Sequence, residues 1–182
     1  MTANELLLLP DDEWRYELVD GRLMRMSPTG GEHGQIVMAL LRAVDRFVDE
    51  RRLGEVLPPE TGFWISQEDG PDTVLAPDLA FVRLGREREF GVKGYPRLAP
   101  DLVAEVVSPS QRRAEMAVKA QRWLTSGVQL IWVVLPESQT VDVWRNGGLQ
   151  HTLTIDGELS GEDILSGFLH SVKRLFSLSG HR

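Results

Sequence analysis

Two runs of apolar residues, each opened by the tripeptide Ala-Pro-Asp, constrain this chain most. Ala76-Pro77-Asp78 leads into Leu79-Ala80-Phe81-Val82, and Ala99-Pro100-Asp101 leads into Leu102-Val103-Ala104-Glu105-Val106-Val107. Runs this apolar, without polar alternation, read as central strands covered on both faces, so the chain must supply covering layers on each side. One residue breaks the second run: Glu105, flanked on both sides by Leu102, Val103, Ala104, Val106 and Val107. An ionised carboxylate in such a strand must be ion-paired, hydrogen-bonded or metal-bound, because burial alone is costly. A buried salt bridge is the plain reading. The Ser108-Pro109 break just beyond the strand favours a site at its end.

The rest of the pattern is consistent with mixed strands and helices in one domain over residues 1–182. Thr2-x-x-Glu5 forms a capping box for a short helix that Pro10 ends. Residues 14–19 alternate with the period of a strand, and Asp20-Gly21 turns tightly into a second strand, Arg22 to Met26. Ser27 to Gly31 reads as a loop. From about Gly34 to Arg52 the apolar spacing becomes helical, with Val37, Leu40, Leu41, Val44 and Val48 on one stripe and Gly54 at its end. Further strands are expected over Thr61 to Ser66 and Gln129 to Leu135, with a polar turn from Gln67 to Asp72 and a charged loop from Arg83 to Leu98. A helix is expected from about Arg112 to Ser126, closed by Gly127. Thr140 to Trp144 and Leu149 to Ile155 form a hairpin around Asn146-Gly147-Gly148, and Ile164 to Leu178 ends in a helix.

Composition removes whole classes of chemistry. With 182 residues, 42% hydrophobic and 26% charged, the chain can bury a full core and is not globally disordered. It has no cysteine, which excludes disulfides, thiolate zinc sites, iron–sulfur clusters and a cysteine nucleophile. No stretch reaches the ~18 apolar residues of a membrane helix, and residues 1–9 lack a signal-peptide pattern, so a cytoplasmic protein is expected. The net charge of −7 argues against holding nucleic acid by bulk attraction.

Within this frame a few polar residues stand out. Asp78 opens the first core strand after a proline; it reads as an ordinary strand-start residue or as a partner for Glu105. Asp101 has the same context, but it lies four strand steps from Glu105, roughly 13 Å, so the two cannot share one small cation from that strand. Asp101 is therefore assigned a structural role. Lys119 flanks the apolar stripe Met116, Ala120, Trp123 and Leu124, and its head group either snorkels to solvent or turns along the sheet toward Glu105. The chain has 17 arginines and only three lysines, and lysine offers a compact point charge that can hold a water or a phosphate oxygen. Two carboxylates and a lysine at converging strand and helix ends suit metal-assisted phosphodiester hydrolysis, with hard oxygen ligands for Mg²⁺.

The run Tyr16-Glu17-Leu18-Val19-Asp20-Gly21, then Ser27-Pro28 and His33, Pro77-Asp78, Glu105-Val106-Val107-Ser108-Pro109-Ser110, Lys119, and Gly127-Val128 before Ile131-Trp132-Val133-Val134 resembles the Uma-type putative restriction endonuclease family of the PD-(D/E)XK nuclease superfamily. The resemblance spans about residues 10 to 145. It implies an α/β (α+β) restriction endonuclease-like fold, a mixed β-sheet flanked by helices, with a Mg²⁺ (or Mn²⁺) site, DNA as substrate and often a homodimer. It assigns Asp78 and Glu105 as metal ligands and catalytic residues. The lysine expected two residues after the glutamate is Val107 here, and the resembled family places a lysine on the following helix, which is Lys119. Glu17 matches an early acidic position and is either a further ligand or a solvent-facing residue on an edge strand. His33 precedes Val37 by one helical turn and is either packed or part of the site. The expected activity is endonucleolytic hydrolysis of DNA by metal-activated water. The competing reading is a catalytically silent nucleic-acid- or protein-binding module that keeps the fold; a two-carboxylate glycosidase is weaker, for want of an aromatic sugar cleft. The arginines, several of them in the Arg42 to Arg52 helix, are expected to offer a local phosphate-binding face.

Overall fold

The computed structural model describes residues 1–10, 14–66, 69–86, 90 and 93–177. Parts of the expected turn at 67–72 and loop at 83–98, the helix end at Leu178, and His181 fall outside the described residues.

The two Ala-Pro-Asp runs become β6 (Leu79–Arg83) and β7 (Leu102–Val106), inside a six-stranded sheet. Its remaining strands are β3 (Gly54–Leu57), β8 (Leu130–Leu135), β9 (Thr140–Arg145) and β10 (Gly148–Leu153), in the order β10-β9-β8-β7-β6-β3. Only β7 and β8 run parallel among these neighbours. They need a crossover, which α3 (Arg113–Thr125) provides. The sheet is thus mixed and flanked by helices, as expected.

Side-chain alternation sends each strand's residues to two cores. Phe81, Leu102, Ala104, Val106, Trp132 and Val143 face α2 (Gly31–Arg51), while Val82, Val103, Ile131 and Val133 face Met116, Ala120 and Trp123 of α3. Helix α2 starts three residues before the expected Gly34, and it buries Ile36 and His33 besides most of the expected stripe, whose Leu41 is only partly buried. Gly54 does not end this helix. Arg52 does, in the left-handed conformation, and Gly54 opens β3 with φ 151°, where a Cβ would lie 2.0 Å from the carbonyl oxygen of Val82. Its lack of a side chain serves strand pairing with β6.

A second, smaller sheet leans on the first. The strands β1 (Arg15–Val19) and β2 (Arg22–Met26) are joined by Asp20-Gly21, both at positive φ as a type I′ turn requires. Strand β1 also pairs with β5 (Val74–Leu75), which pairs with β4 (Phe63–Trp64). The expected strand over Thr61 to Ser66 shrinks to those two residues, and β5 was not expected at all. Helix α1 (Ala3–Leu7) has the expected capping box but stops before Pro10. Ala3 N–H donates to Asp72 at 2.7 Å, tying α1 to the segment before β5. Near the C-terminus, β11 (Glu158–Ser160) and β12 (Leu169–Ser171) form a short pair before α4 (Val172–Phe176).

Candidate active site

The site forms where the small sheet meets the face of the large sheet covered by α3. Glu105 shares strand parity with Val103, so its side chain faces α3 rather than α2. Its carboxylate is 4% exposed. Trp123 Nε1–H donates to Glu105 Oε1 at 2.8 Å, and Lys119 Nζ lies 2.9 Å from Oε1 and 3.1 Å from Oε2. One helical turn separates Lys119 from Trp123, so both donors descend from α3 onto one carboxylate. Lys119 does not snorkel: its side chain is 15% exposed.

The same ammonium donates to Glu17 Oε1 at 2.9 Å, and that oxygen also accepts from Ala76 N–H at 2.9 Å. Glu17 is therefore not a solvent-facing residue on an edge strand. It is buried, and β1 lies between β2 and β5. Its contact with Ala76 fixes the segment that carries Asp78. Asp78 Oδ2 in turn accepts from Val106 N–H at 2.7 Å, immediately after Glu105, and lies 3.3 Å from His33 Nε2. The β6–β7 register pairs Leu79 with Ala104, which brings Asp78 alongside Glu105. Glu17, Asp78, Glu105, Lys119 and His33 are thereby drawn together from β1, the entry to β6, β7, α3 and α2.

Electrostatics follow from two acids sharing one ammonium, with a third acid, Asp78, beside Glu105. Burial raises the Glu105 carboxyl most, Asp78 and Glu17 raise it further, and Lys119 and the Trp123 hydrogen bond pull it back, for a net rise to about 7. Burial alone would lower Lys119, yet the flanking Glu105 and Glu17 carboxylates hold its ammonium above the usual lysine range. Lys119 stays protonated, and the carboxylate beside it is the group that gives way. Among the described residues no three His, Asp or Glu side chains are grouped closely enough to hold a metal by themselves. Asp78 and Glu105 nevertheless fit Mg²⁺ or Mn²⁺: both are hard oxygen donors, and Mg²⁺ is commonly held by one or two protein carboxylates, with water and phosphate oxygens completing its shell.

Asp101 lies outside the cluster, as expected. It accepts from Arg83 N–H and Arg86 at 2.9 Å each and from Gln129 at 3.2 Å, stitching the loop end of β7 to its neighbours. Among the arginines of α2, Arg46 pairs with Glu50, Arg51 covers Phe47, and Arg42 stands about 14 Å along the helix from His33. These three line a surface groove with His170 and Arg174, apart from Asp78 and Glu105. Sequence reasoning missed the Trp123 indole, read only as an apolar stripe residue; its spacing from Lys119 was the available signal. It also missed the backbone donors of Ala76 and Val106, which leave no trace in residue type.

The sequence matches, over residues 3–173, the family described as Uma2, "Putative restriction endonuclease". No curated protein matches it. Among solved structures, the chain is similar to one described as a putative nuclease belonging to DUF820 from Anabaena variabilis ATCC 29413, with a TM-score of 0.80, 24% identity and 98% of each chain covered. At that identity the likeness is one of fold.

Proposed function

Because the chain belongs to the Uma2 "putative restriction endonuclease" family, we propose that it is a Mg²⁺- or Mn²⁺-dependent endonuclease that hydrolyses DNA phosphodiester bonds at the Asp78–Glu105–Lys119 cluster. One observation carries this reading: a carboxylate in an otherwise apolar, fully buried strand is held by an ammonium and an indole N–H beside a second acid, instead of being replaced by an apolar residue. Asp78 and Glu105 would hold the cation, which when bound lowers the pKa of its water and offsets charge developing on the phosphate. Lys119, already protonated, acts as a hydrogen-bond donor and positive charge toward water and phosphate oxygen, not as a base. Val106 N–H and His33 orient the Asp78 carboxylate, and Trp123 fixes that of Glu105. Glu17 shares the Lys119 charge and sets its direction. The family resemblance also carries a homodimer into this reading, while the single domain over residues 1–182 and the cytoplasmic location stand on the length and patterning of the sequence.

Purified protein with Mg²⁺ or Mn²⁺ is expected to nick or cut DNA and to lose that activity with chelator. Asp78→Ala and Glu105→Ala are each expected to abolish cutting while circular dichroism retains the folded signal. Cutting at the wild-type rate by both variants would overturn the site. A second reading, a silent binding module that keeps the fold, draws on the absent Glu-x-Lys lysine at Val107 and on Lys119 engaging both oxygens of Glu105. That reading expects no cutting under any divalent cation.

A further inference from the structure

Asp78 has a second neighbourhood. It lines a pocket of about 190 Å³ together with Trp14, Tyr16, Tyr95, Met26 and Pro77. Apolar cavities of about 150 Å³ take up benzene, so the space is enough for one planar ring system. Three aromatic side chains around a space of that size, with a carboxylate of the cluster in its wall, do not suit an ion. They suit a flat π-system.

The pocket is built rather than left over. The ring of Tyr95 lies where a Cβ on Gly62 would come within 2.7 Å of two of its carbons, so only glycine at that buried position admits the tyrosine. Trp14 is braced by the guanidinium of Arg25, 3.3 Å from its ring centroid. On the rim Arg15 is paired with Glu60, so the wall contributes little net charge for attracting a phosphate backbone. The whole chain carries −7, whereas duplex-binding proteins draw most of their affinity from phosphate contacts and counterion release. Stacking on aromatic faces adds affinity that does not come from that field, is tolerant of base identity, and draws on bases free of a duplex.

We propose that this pocket receives one unpaired nucleobase next to the phosphodiester at the cluster, which makes single-stranded DNA the substrate class. This rests on the nuclease reading above, and the base pocket gives it a strand preference. The base enters between Trp14 and Tyr95, and its neighbouring phosphate is delivered to Asp78 and Glu105. A base inside an intact duplex reaches the pocket only by being flipped out, at the cost of unstacking and unpairing.

The test is fluorescence anisotropy of a 5′-labelled 12-mer, single-stranded or annealed to its complement, with EDTA present so that cutting plays no part. Wild-type protein is expected to bind the single strand more tightly than the duplex. Trp14→Ala is expected to weaken single-strand binding by roughly tenfold, within the range for loss of one stacked base. Trp14→Phe should restore most of it, and Tyr95→Leu, which leaves Trp14 and Arg25 in place, should show a loss of its own. Equal affinity of wild type, Trp14→Ala and Tyr95→Leu for the single strand would overturn the proposal, as would wild-type binding of the duplex as tight as of the single strand. Binding that depends on Trp14 in a protein that cuts nothing would sink the nuclease reading alone. Efficient cutting of duplex, unchanged in Trp14→Ala, would sink the base pocket alone.

Discussion

Helix α3 reaches down to a buried carboxylate twice, through Lys119 to Glu105 and through Arg113 to Asp142, and the two contacts are built on different principles. The registers Glu105–Val133 and Val133–Asp142 place both acids in one cross-strand row on the same face of the sheet. Asp142 is 2% exposed and receives two parallel bonds from Arg113, 2.9 Å from Nε and 2.6 Å from the terminal nitrogen, with Thr152 donating a third at 2.6 Å. The Arg113 side chain as a whole is 56% exposed. A planar fork matched to a carboxylate, with a hydroxyl completing the shell, is a finished ion pair. Around Glu105 the cation is a lysine shared between two acids, a third acid lies alongside, and the carboxyl is raised toward neutrality. Two acids in one cross-strand row beneath the same helix therefore yield a fastener in one case and a coupled cluster of several ionisable groups in the other. What separates them is the ratio of acids to cations and the geometry of the donor.

That contrast can be broken by experiment. The largest effect is expected from Arg113→Ala, which leaves Asp142 buried without its cation and should cost about 3–5 kcal/mol in chemical denaturation. Asp142→Asn leaves only a half-exposed arginine and should cost about 1 kcal/mol. Nuclease activity per folded molecule should survive both, and its loss in Asp142→Asn would show that this pair belongs to the chemistry. An intermediate effect is expected from pH. A carboxyl raised in the folded state holds its proton more tightly there than in the unfolded chain, so Glu105 makes the metal-free protein lose stability as pH rises from about 4.5 to about 7 and adds no further slope above that. Lys119 remains charged throughout this window and contributes no slope. The difference between pH 4.5 and pH 8 should be of the order of 3 kcal/mol, and Glu105→Gln should remove it when measured in EDTA. A slope that persists in Glu105→Gln would place its origin elsewhere. The smallest effect belongs to a third contact of the same helix, Arg122 with Asp20, which is largely solvent-exposed. Asp20→Asn should change stability by less than about 1 kcal/mol, and less still at high salt.

The parts of this arrangement that could be read beforehand are those written in residue type and local spacing. Glu105 is conspicuous because it interrupts an apolar run, Asp20-Gly21 because a type I′ turn demands positive φ, and Lys119 because its spacing places it beside an apolar stripe. Strands β3, β5 and β12 escaped notice because they are two to four residues long and owe their conformation to a partner strand. Gly54 was misread as a helix stop because glycine has the same local signature at a helix end and at a close strand approach. The burial of Glu17 depends on β5 arriving alongside β1, which no pattern within residues 15–19 records. The Arg113–Asp142 pair joins residues 29 positions apart and has no local mark at all.

The bond between Glu17 and Lys119 joins residues 102 positions apart in the chain. Closing so long a loop has an entropic cost that grows with its length, and contacts of this kind form only after nearer ones hold their elements in place. Glu105 itself becomes a buried residue only once β8, ending at Leu135, has paired with β7 from the far side of the α3 crossover. The cluster therefore cannot exist in a chain emerging from the ribosome until most of it has been made. Its assembly is a late event of folding, and partly folded species should lack the arrangement proposed to carry out cutting.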